Sequence, residues 1–256
     1  MEMASPTILI TGATGKLGRT FALGFAAMGS NVAFTSRGGD VAKELEQDCL
    51  ARGAKRVACV QADLTAEDAA SNIAHQLEEI ELLPDILINN ARNTQHLKID
   101  STGRTTRKNW QKELLMGVVL PYELSMALAY LQPTSLKTII NIASIYGVSA
   151  PNLALYDRPE LESPVNYGVT KAALIHLTKE LAVRLASRKI SVNAVSYGGV
   201  SGRAGEEFQA RYGRLCPAGR MLDDSEVFGA VKFLASTDAT GMTGHNLVVD
   251  GGWTIW

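Results

Sequence analysis

In SPVNYGVTKAALIHLTKELA, residues 163–182, a tyrosine and a lysine stand four positions apart. On an α-helix that interval puts Tyr167 and Lys171 on one face, about one turn apart. A phenol beside an ammonium is an acid next to a cation that favours its deprotonated form. A free tyrosine has a pKa of about 10, and acid–base work near neutrality needs that lowered. The same spacing also serves plain packing at the start of an amphipathic helix. The pair therefore gains meaning only from the rest of the chain.

The second constellation opens the chain. TILITGATGKLGRTFALGFAAMG runs from an apolar strand through a glycine-rich turn into a helix. Gly12, Gly15 and Gly18 are spaced G-x-x-G-x-x-G. The first permits a tight turn, the second lets backbone N–H groups approach a pyrophosphate, and the third lets helix and strand pack closely. The helix N-terminus adds partial positive charge toward phosphates. At the end of the second strand, in NVAFTSRGGD, Ser36 occupies the place of the acid that binds ribose hydroxyls in NAD enzymes, and Arg37 follows. Arg37, with Lys16 from the glycine loop, suits a 2′-phosphate. The expected cofactor is NADP, with NAD the lesser alternative. Asp63, in VQADLT, ends the third strand at the same sheet edge, facing an adenine amino group or capping a helix.

These residues need a scaffold that brings strand ends together. Apolar runs predict strands over Thr7–Ile10, Val32–Thr35, Val57–Gln61, Ile86–Ile88, Thr138–Ile142, Ser191–Val195 and Asn246–Val249. Amphipathic segments predict helices near 17–28, 40–52, 66–81, 105–131, 165–187 and 224–235. Strand–helix alternation with uniformly apolar strands predicts a single-domain α/β Rossmann fold. Its seven-stranded parallel sheet is doubly wound, with helices on both faces. Stretches 93–104 and 150–164 interrupt the alternation, and 198–219 reads as a loop with a short helix. Long loops in a compact domain usually carry function.

Composition narrows the class. The chain has 256 residues and a net charge of −1, so no basic excess draws it to nucleic acid or anionic lipid. Its apolar runs are far too short for a membrane span. MEMASPT lacks a basic stretch followed by an apolar core, so no secretory leader is expected. Cys49, Cys59 and Cys216 are odd in number and lack metal-type spacing, which fits a reducing cytoplasm. The four histidines are scattered, so no metal site is expected, and they read as surface or helix-packing residues.

The ordered set TGATGKLG, ADLT, INNAR, NIASIYG, YGVTK, ISVNAVSYGG and TGHNLVVDGG resembles the short-chain dehydrogenase/reductase family over essentially the whole chain. The resemblance implies an oxidoreductase that moves a hydride between nicotinamide and a carbonyl or secondary alcohol. It implies Tyr167 as general acid/base, Lys171 as the cation that tunes it and holds the nicotinamide ribose, and Ser144 as the group that orients the substrate oxygen. It extends the cofactor contacts to Thr11 and Leu17 in the glycine loop, Leu64 beside Asp63, Asn90 and Ala91 after the fourth strand, and Gly198 and Val200 after the sixth. It also implies a homotetramer or homodimer through the long helices near 105–131 and 165–187, with the tail GGWTIW at an interface.

Four departures stand out. Lys16 occupies a family glycine position; Arg92 replaces the glycine after NNA; Gly117 replaces a helix asparagine that holds a relay water; and 23 residues separate Ser144 from Tyr167. A helix-interior glycine costs about 1 kcal/mol relative to alanine, which predicts a spatial reason at Gly117, with room left for a water. The long insert is expected over the active site, offering Tyr156, Asp157 and Arg158 to substrate. Its sequence and the C-terminal stretch are similar to oxidoreductases of flagellin modification and nonulosonic-sugar pathways. That implies a sugar-derived small-molecule substrate, with Arg92, Arg104, Arg107 and Lys108 suited to an anionic one. Two other functions use the same residues: a nucleotide-binding scaffold or regulator, and a sugar epimerase or dehydratase with tightly held NAD.

Overall fold

The computed structural model describes residues 5–202 and 204–256. Seven parallel strands, β1 (Thr7–Ile10), β2 (Asn31–Ser36), β3 (Val57–Gln61), β4 (Ile86–Asn89), β5 (Thr138–Ser144), β6 (Ser191–Tyr197) and β7 (Asn246–Val249), form one sheet in the order β3-β2-β1-β4-β5-β6-β7. The order reverses between β1 and β4, where a doubly wound sheet opens its ligand crevice.

Side-chain alternation sorts the core into two layers. Ile8, Ile10, Val32 and Phe34 face α1 (Lys16–Ala27), α2 (Asp40–Ala51) and, late in the chain, Val227 and Val231. Leu9, Ala33 and Leu87 face the other way, toward α3 (Ala69–Glu79) and Leu124, Leu181 and Leu185. Each face is covered because the sheet carries apolar side chains on both sides.

Four strands run past their predicted ends. β2 reaches Ser36, β4 Asn89, β5 Ser144 and β6 Tyr197. The apolar pattern stops before these residues because they finish strands at the crevice edge, where polar groups serve the site. The segment expected as one helix over 105–131 is α4 (Arg107–Leu114) and α5 (Leu120–Ala129), joined by a π-helical turn, Leu115–Val119. Gly117 sits in that turn, and a methyl group there would collide with Thr170 Cγ2. The predicted spatial reason is this close approach, and the expected room for a water is taken by Thr170. The insert folds as a 3₁₀ turn, Leu153–Leu155, and α6 (Pro159–Glu162). It leads into α7 (Val165–Leu185), and α8 (Glu206–Leu215) and α9 (Asp224–Leu234) follow.

A buried polar chain clamps α5 and α7 to the sheet. Asn89 Nδ2 donates to Asn141 Oδ1 at 2.9 Å, and Asn141 Nδ2 donates to Thr178 Oγ1 at 2.9 Å. Thr178 in turn donates to Leu174 O, and Asn89 reaches Ser125 Oγ at 3.4 Å. The arrangement sets α7 in register with β5. Replacing Asn141 with alanine strips two buried groups of a partner, and leaving one unsatisfied costs about 1–3 kcal/mol. We expect Asn141→Ala to lower unfolding free energy by at least that amount in urea titration; an unchanged midpoint would remove the clamp.

Candidate active site

A cleft of about 1110 Å³ runs along the C-terminal strand edge. It exceeds the roughly 300–1,000 Å³ of a single small-ligand pocket. One end is the glycine loop. Gly12 has φ +66°, and a side chain there would press on Ala91 Cα at 2.8 Å. A side chain at Gly18 would strike the Asn90 amide nitrogen at 2.8 Å. Glycine at both positions lets the loop nest against the end of β4. Thr11 ties them together: its hydroxyl accepts the N–H groups of Asn90 at 2.9 Å and Ala91 at 3.0 Å. Asn90 Nδ2 donates to the carbonyls of Thr11 at 2.9 Å and Gly12 at 3.2 Å. The helix start at Gly15 has no side-chain cap and no acid in its first turn. Its free N–H groups and positive dipole end therefore fit a phosphate.

Gly12, Gly15, Lys16, Leu17 and Gly18 all line the cleft, as do Ser36, Arg37, Asp63, Leu64, Asn90, Ala91, Gly198 and Val200. Two residues of the expected set do not. Thr11 is buried behind the loop, and Lys171 lies behind Tyr167. The Lys16 ammonium also differs from expectation. It pairs with Asp224 Oδ1 at 3.1 Å and donates to the Ser201 carbonyl, so it bridges the glycine loop to the segment after β6 instead of joining Arg37 at a phosphate. Arg37 is exposed at the cleft rim, near Asp63. Asp63 Oδ1 accepts the Thr65 N–H at 2.9 Å and its hydroxyl at 2.8 Å. Those bonds, and then Arg37, hold its carboxyl below the usual carboxylate range.

At the other end, Ser144 terminates β5 and Tyr167 opens α7, both on the cleft wall. The Ser144 hydroxyl accepts the Tyr146 N–H at 3.2 Å, leaving its own proton to donate. Lys171, 6% exposed, donates from Nζ to the Ile142 carbonyl at 2.7 Å. The ammonium is 5.9 Å from the Tyr167 ring centre, and the Arg92 guanidinium is 5.5 Å from it. Burial holds the Lys171 ammonium below its usual range, against the opposing pull of Tyr167.

Among the cations and loop residues put forward for substrate, Arg92 and Tyr156 line the cleft; Arg104, Arg107, Lys108, Asp157 and Arg158 do not. Asp157 pairs with Arg211 at 2.7 Å, and Arg158 lies 3.7 Å from Glu162. Several lining residues escaped sequence reasoning. Tyr146 shares a 2.7 Å hydroxyl contact with Tyr156, and Phe208 packs edge-on to Tyr156. Tyr212 accepts the Gly199 N–H at 2.9 Å and stacks on Trp253 at 4.3 Å. That contact buries Trp253 of the tail, while Ile255 and Trp256 stay exposed. No motif flags Tyr146, Phe208 and Tyr212, because they come from segments far apart in the chain. Among the described residues no group of three His, Cys, Asp or Glu side chains is placed to hold a metal, and no helix is long and apolar enough to cross a membrane.

The family model described as Enoyl-(Acyl carrier protein) reductase matches residues 12–254. The chain is 31% identical over 259 residues to the 3-oxoacyl-(acyl-carrier-protein) reductase FabG of Aquifex aeolicus, covering 98% of each. It is 36% identical over 126 residues to the post-translational flagellin modification protein A of Campylobacter coli, covering 49% of each. It also matches a short-chain type dehydrogenase/reductase of Sinorhizobium fredii at 33% over 253 residues, which is 96% of this chain but 43% of that longer protein. A short-chain dehydrogenase from Leptospira borgpetersenii, solved with bound NAD+, superposes with a TM-score of 0.84 at 30% identity, over 98% of this chain and 93% of that one. The Pseudomonas aeruginosa RhlG/NADP complex superposes at 0.85 and 26% identity, over 98% and 97%. With a seven-stranded doubly wound sheet and matches along nearly its whole length, the chain belongs to the short-chain dehydrogenase/reductase family of oxidoreductases.

Proposed function

We propose that the protein is an NADP-preferring oxidoreductase in which Tyr167 exchanges a proton with the oxygen of a carbonyl or secondary alcohol. The observation that carries this reading is that Ser144 and Tyr167 line the same cleft, with the buried Lys171 ammonium 5.9 Å from the Tyr167 ring centre. When bound, the nicotinamide supplies or accepts the hydride. Ser144 donates to the substrate oxygen and orients it. Tyr167 gives that oxygen a proton in reduction and removes it in oxidation. Lys171 and Arg92 set positive charge against the ring that passes through a phenolate. Fixed donors in a partly closed cleft stabilise charge developing on the substrate oxygen.

The helix start at Gly15 would hold the pyrophosphate of a dinucleotide, Asp63 and Leu64 its adenine, and Asn90, Ala91, Gly198 and Val200 its nicotinamide end. Preference for NADP is supported by the absence of an acid at Ser36 and by the exposed Arg37 at the rim. A sugar-derived anionic substrate is supported by Arg92, by the paired hydroxyls of Tyr146 and Tyr156, and by the flagellin-modification relative. Homo-oligomer formation is supported by Tyr122, Val165, Val169 and Val183, apolar side chains exposed on α5 and α7. Three free cysteines are compatible with a cytoplasmic setting.

Tyr167→Phe keeps the ring packing and removes the proton. It is expected to reduce turnover of keto-sugars by about 10²–10⁴-fold while NADPH fluorescence titration stays unchanged; wild-type turnover in this variant sinks the acid/base assignment. Arg37→Ala tests the cofactor. Loss of a charge-assisted phosphate contact is expected to weaken NADPH about tenfold or more and to spare NADH. Equal weakening of both would rule out Arg37 as the 2′-phosphate ligand.

A further inference from the structure

Lys16 is the first residue of α1, directly after the uncapped helix start at Gly15. A cation there opposes the helix dipole, so its presence asks for a reason. The ammonium pairs with Asp224 Oδ1 at 3.1 Å and donates to the Ser201 carbonyl. Asp224 is likewise the first residue of its helix, α9. The two helices pack side by side on one sheet face, with Phe25 edge-on to Phe228 at 5.1 Å, and this brings their first residues together. β1 and β6, which lead into the glycine loop and the Ser201 segment, are separated in the sheet by β4 and β5. The Lys16 bridge therefore ties two parts of the cleft rim that the sheet itself holds apart.

The far end of the bridge is a built seat. Val200 pairs with Leu222 as neighbours in parallel strands do. The Ser201 N–H donates to the Leu222 carbonyl at 2.9 Å, and the Leu222 N–H donates to the Gly199 carbonyl at 2.8 Å. At the start of α9, Glu226 Oε2 accepts the Asp223 N–H at 2.8 Å and is gripped by Arg220 at 2.7 Å. The Ser201 carbonyl and the Asp224 carboxylate are thus presented by one hydrogen-bonded unit. Gly202 leaves room for the ammonium: its φ is +91°, and a Cβ built there would stand 2.8 Å from Lys16 Nζ. The same unit reaches the aromatic wall, since Gly199 donates its N–H to Tyr212. An exposed ion pair alone is worth little. Here the Lys16 side chain is only 21% exposed, and a charge-assisted bond to a carbonyl adds to the pair.

We propose that Lys16 is a latch on the cofactor cleft and not a phosphate ligand: its bridge holds the Gly199–Ser201 segment to the glycine loop, and a dinucleotide enters or leaves when the bridge opens. This rests on the reading of the cleft as a dinucleotide site. Two roles compete for one ammonium. As a phosphate ligand, Lys16 has to give up Ser201 and Asp224. As a latch it keeps both, while the free N–H groups of the helix start serve the phosphate. The latch satisfies more groups. It also has a distinct kinetic signature. The bridge is closed in the structure without a cofactor, so it contributes alike before and after binding. A contact of equal strength in two states shifts no equilibrium between them; it slows passage in both directions. Because the bridge is remote from Arg37 and the 2′ position assigned to it, it treats NADPH and NADH alike.

Stopped-flow fluorescence of the full chain with NADPH, and separately with NADH, reads association and release without any turnover. Lys16→Met keeps the stem and removes the charge. We expect both rates to quicken about tenfold for both nucleotides, with Kd nearly unchanged. Asp224→Asn changes a half-exposed side chain that does not line the cleft. It should quicken release as well, by a smaller factor. The double variant should release no faster than Lys16→Met, because the two residues act through one bridge. Slower association in Lys16→Met, or slower release in Asp224→Asn as the freed ammonium grips phosphate, overturns the latch and makes Lys16 a ligand. An effect confined to NADPH overturns it in favour of the 2′-phosphate. Binding by the wild type with rates untouched in both variants rejects the latch alone. Binding of neither nucleotide by the wild type rejects the dinucleotide reading, and the latch with it.

Discussion

A buried ammonium must be compensated, and the geometry of the site follows from how Lys171 meets that demand. Its strongest polar contact is the Ile142 carbonyl at 2.7 Å, near the end of β5. Leaving a buried charged group without its hydrogen-bond partner costs more than the roughly 1–3 kcal/mol of a neutral one, so the rotation and height of α7 against β5 are closely constrained. Tyr167 sits one turn before Lys171 and is thereby carried to the cleft wall. Ser144 lies two residues beyond Ile142 and lines the same cleft. The Asn89–Asn141–Thr178 chain repeats the constraint deeper in the sheet, so α7 is held to β5 at two heights.

The cleft's other end depends on a close approach of backbone to backbone. Gly12 and Gly18 let the first loop lie on the end of β4, and Thr11 and Asn90 lock the contact with hydrogen bonds on both sides. Thr11 acts from behind this surface, as Lys171 does from behind Tyr167. Lys16 then spans the cleft mouth to Ser201 and Asp224, linking the loop to the segment between β6 and α9. The rigid floor and the bridged rim are consequences of one parallel sheet, whose strand ends all open on the same edge.

Gly117 packs against α7 just before Lys171. It lies in the π-helical turn, where Thr170 fills the space beside it. Buried polar side chains lie near it, Glu113 one turn earlier and His96, Asn166 and Thr170 across the interface. Of the chain's four histidines, His96 alone is buried; read singly, it was indistinguishable from a packing residue.

The sequence by itself determined the fold class, the seven strands and the glycine loop. These are local matters: continuous apolar runs, helical periodicity and glycine spacing act within a few residues of one another. Most of the expected cofactor set also fell on the cleft, because it sits at strand ends whose positions those patterns imply. Tertiary structure decided what depends on distant partners. It sent Lys16 to Asp224 and Asp157 to Arg211, and it drew Arg92 over Tyr167. It also assembled the Tyr146, Tyr156, Phe208 and Tyr212 wall, and it brought His96 beside Glu113. A charged side chain on a loop satisfies its neighbours in sequence and solvent equally well, so its partner is chosen only when packing removes the solvent.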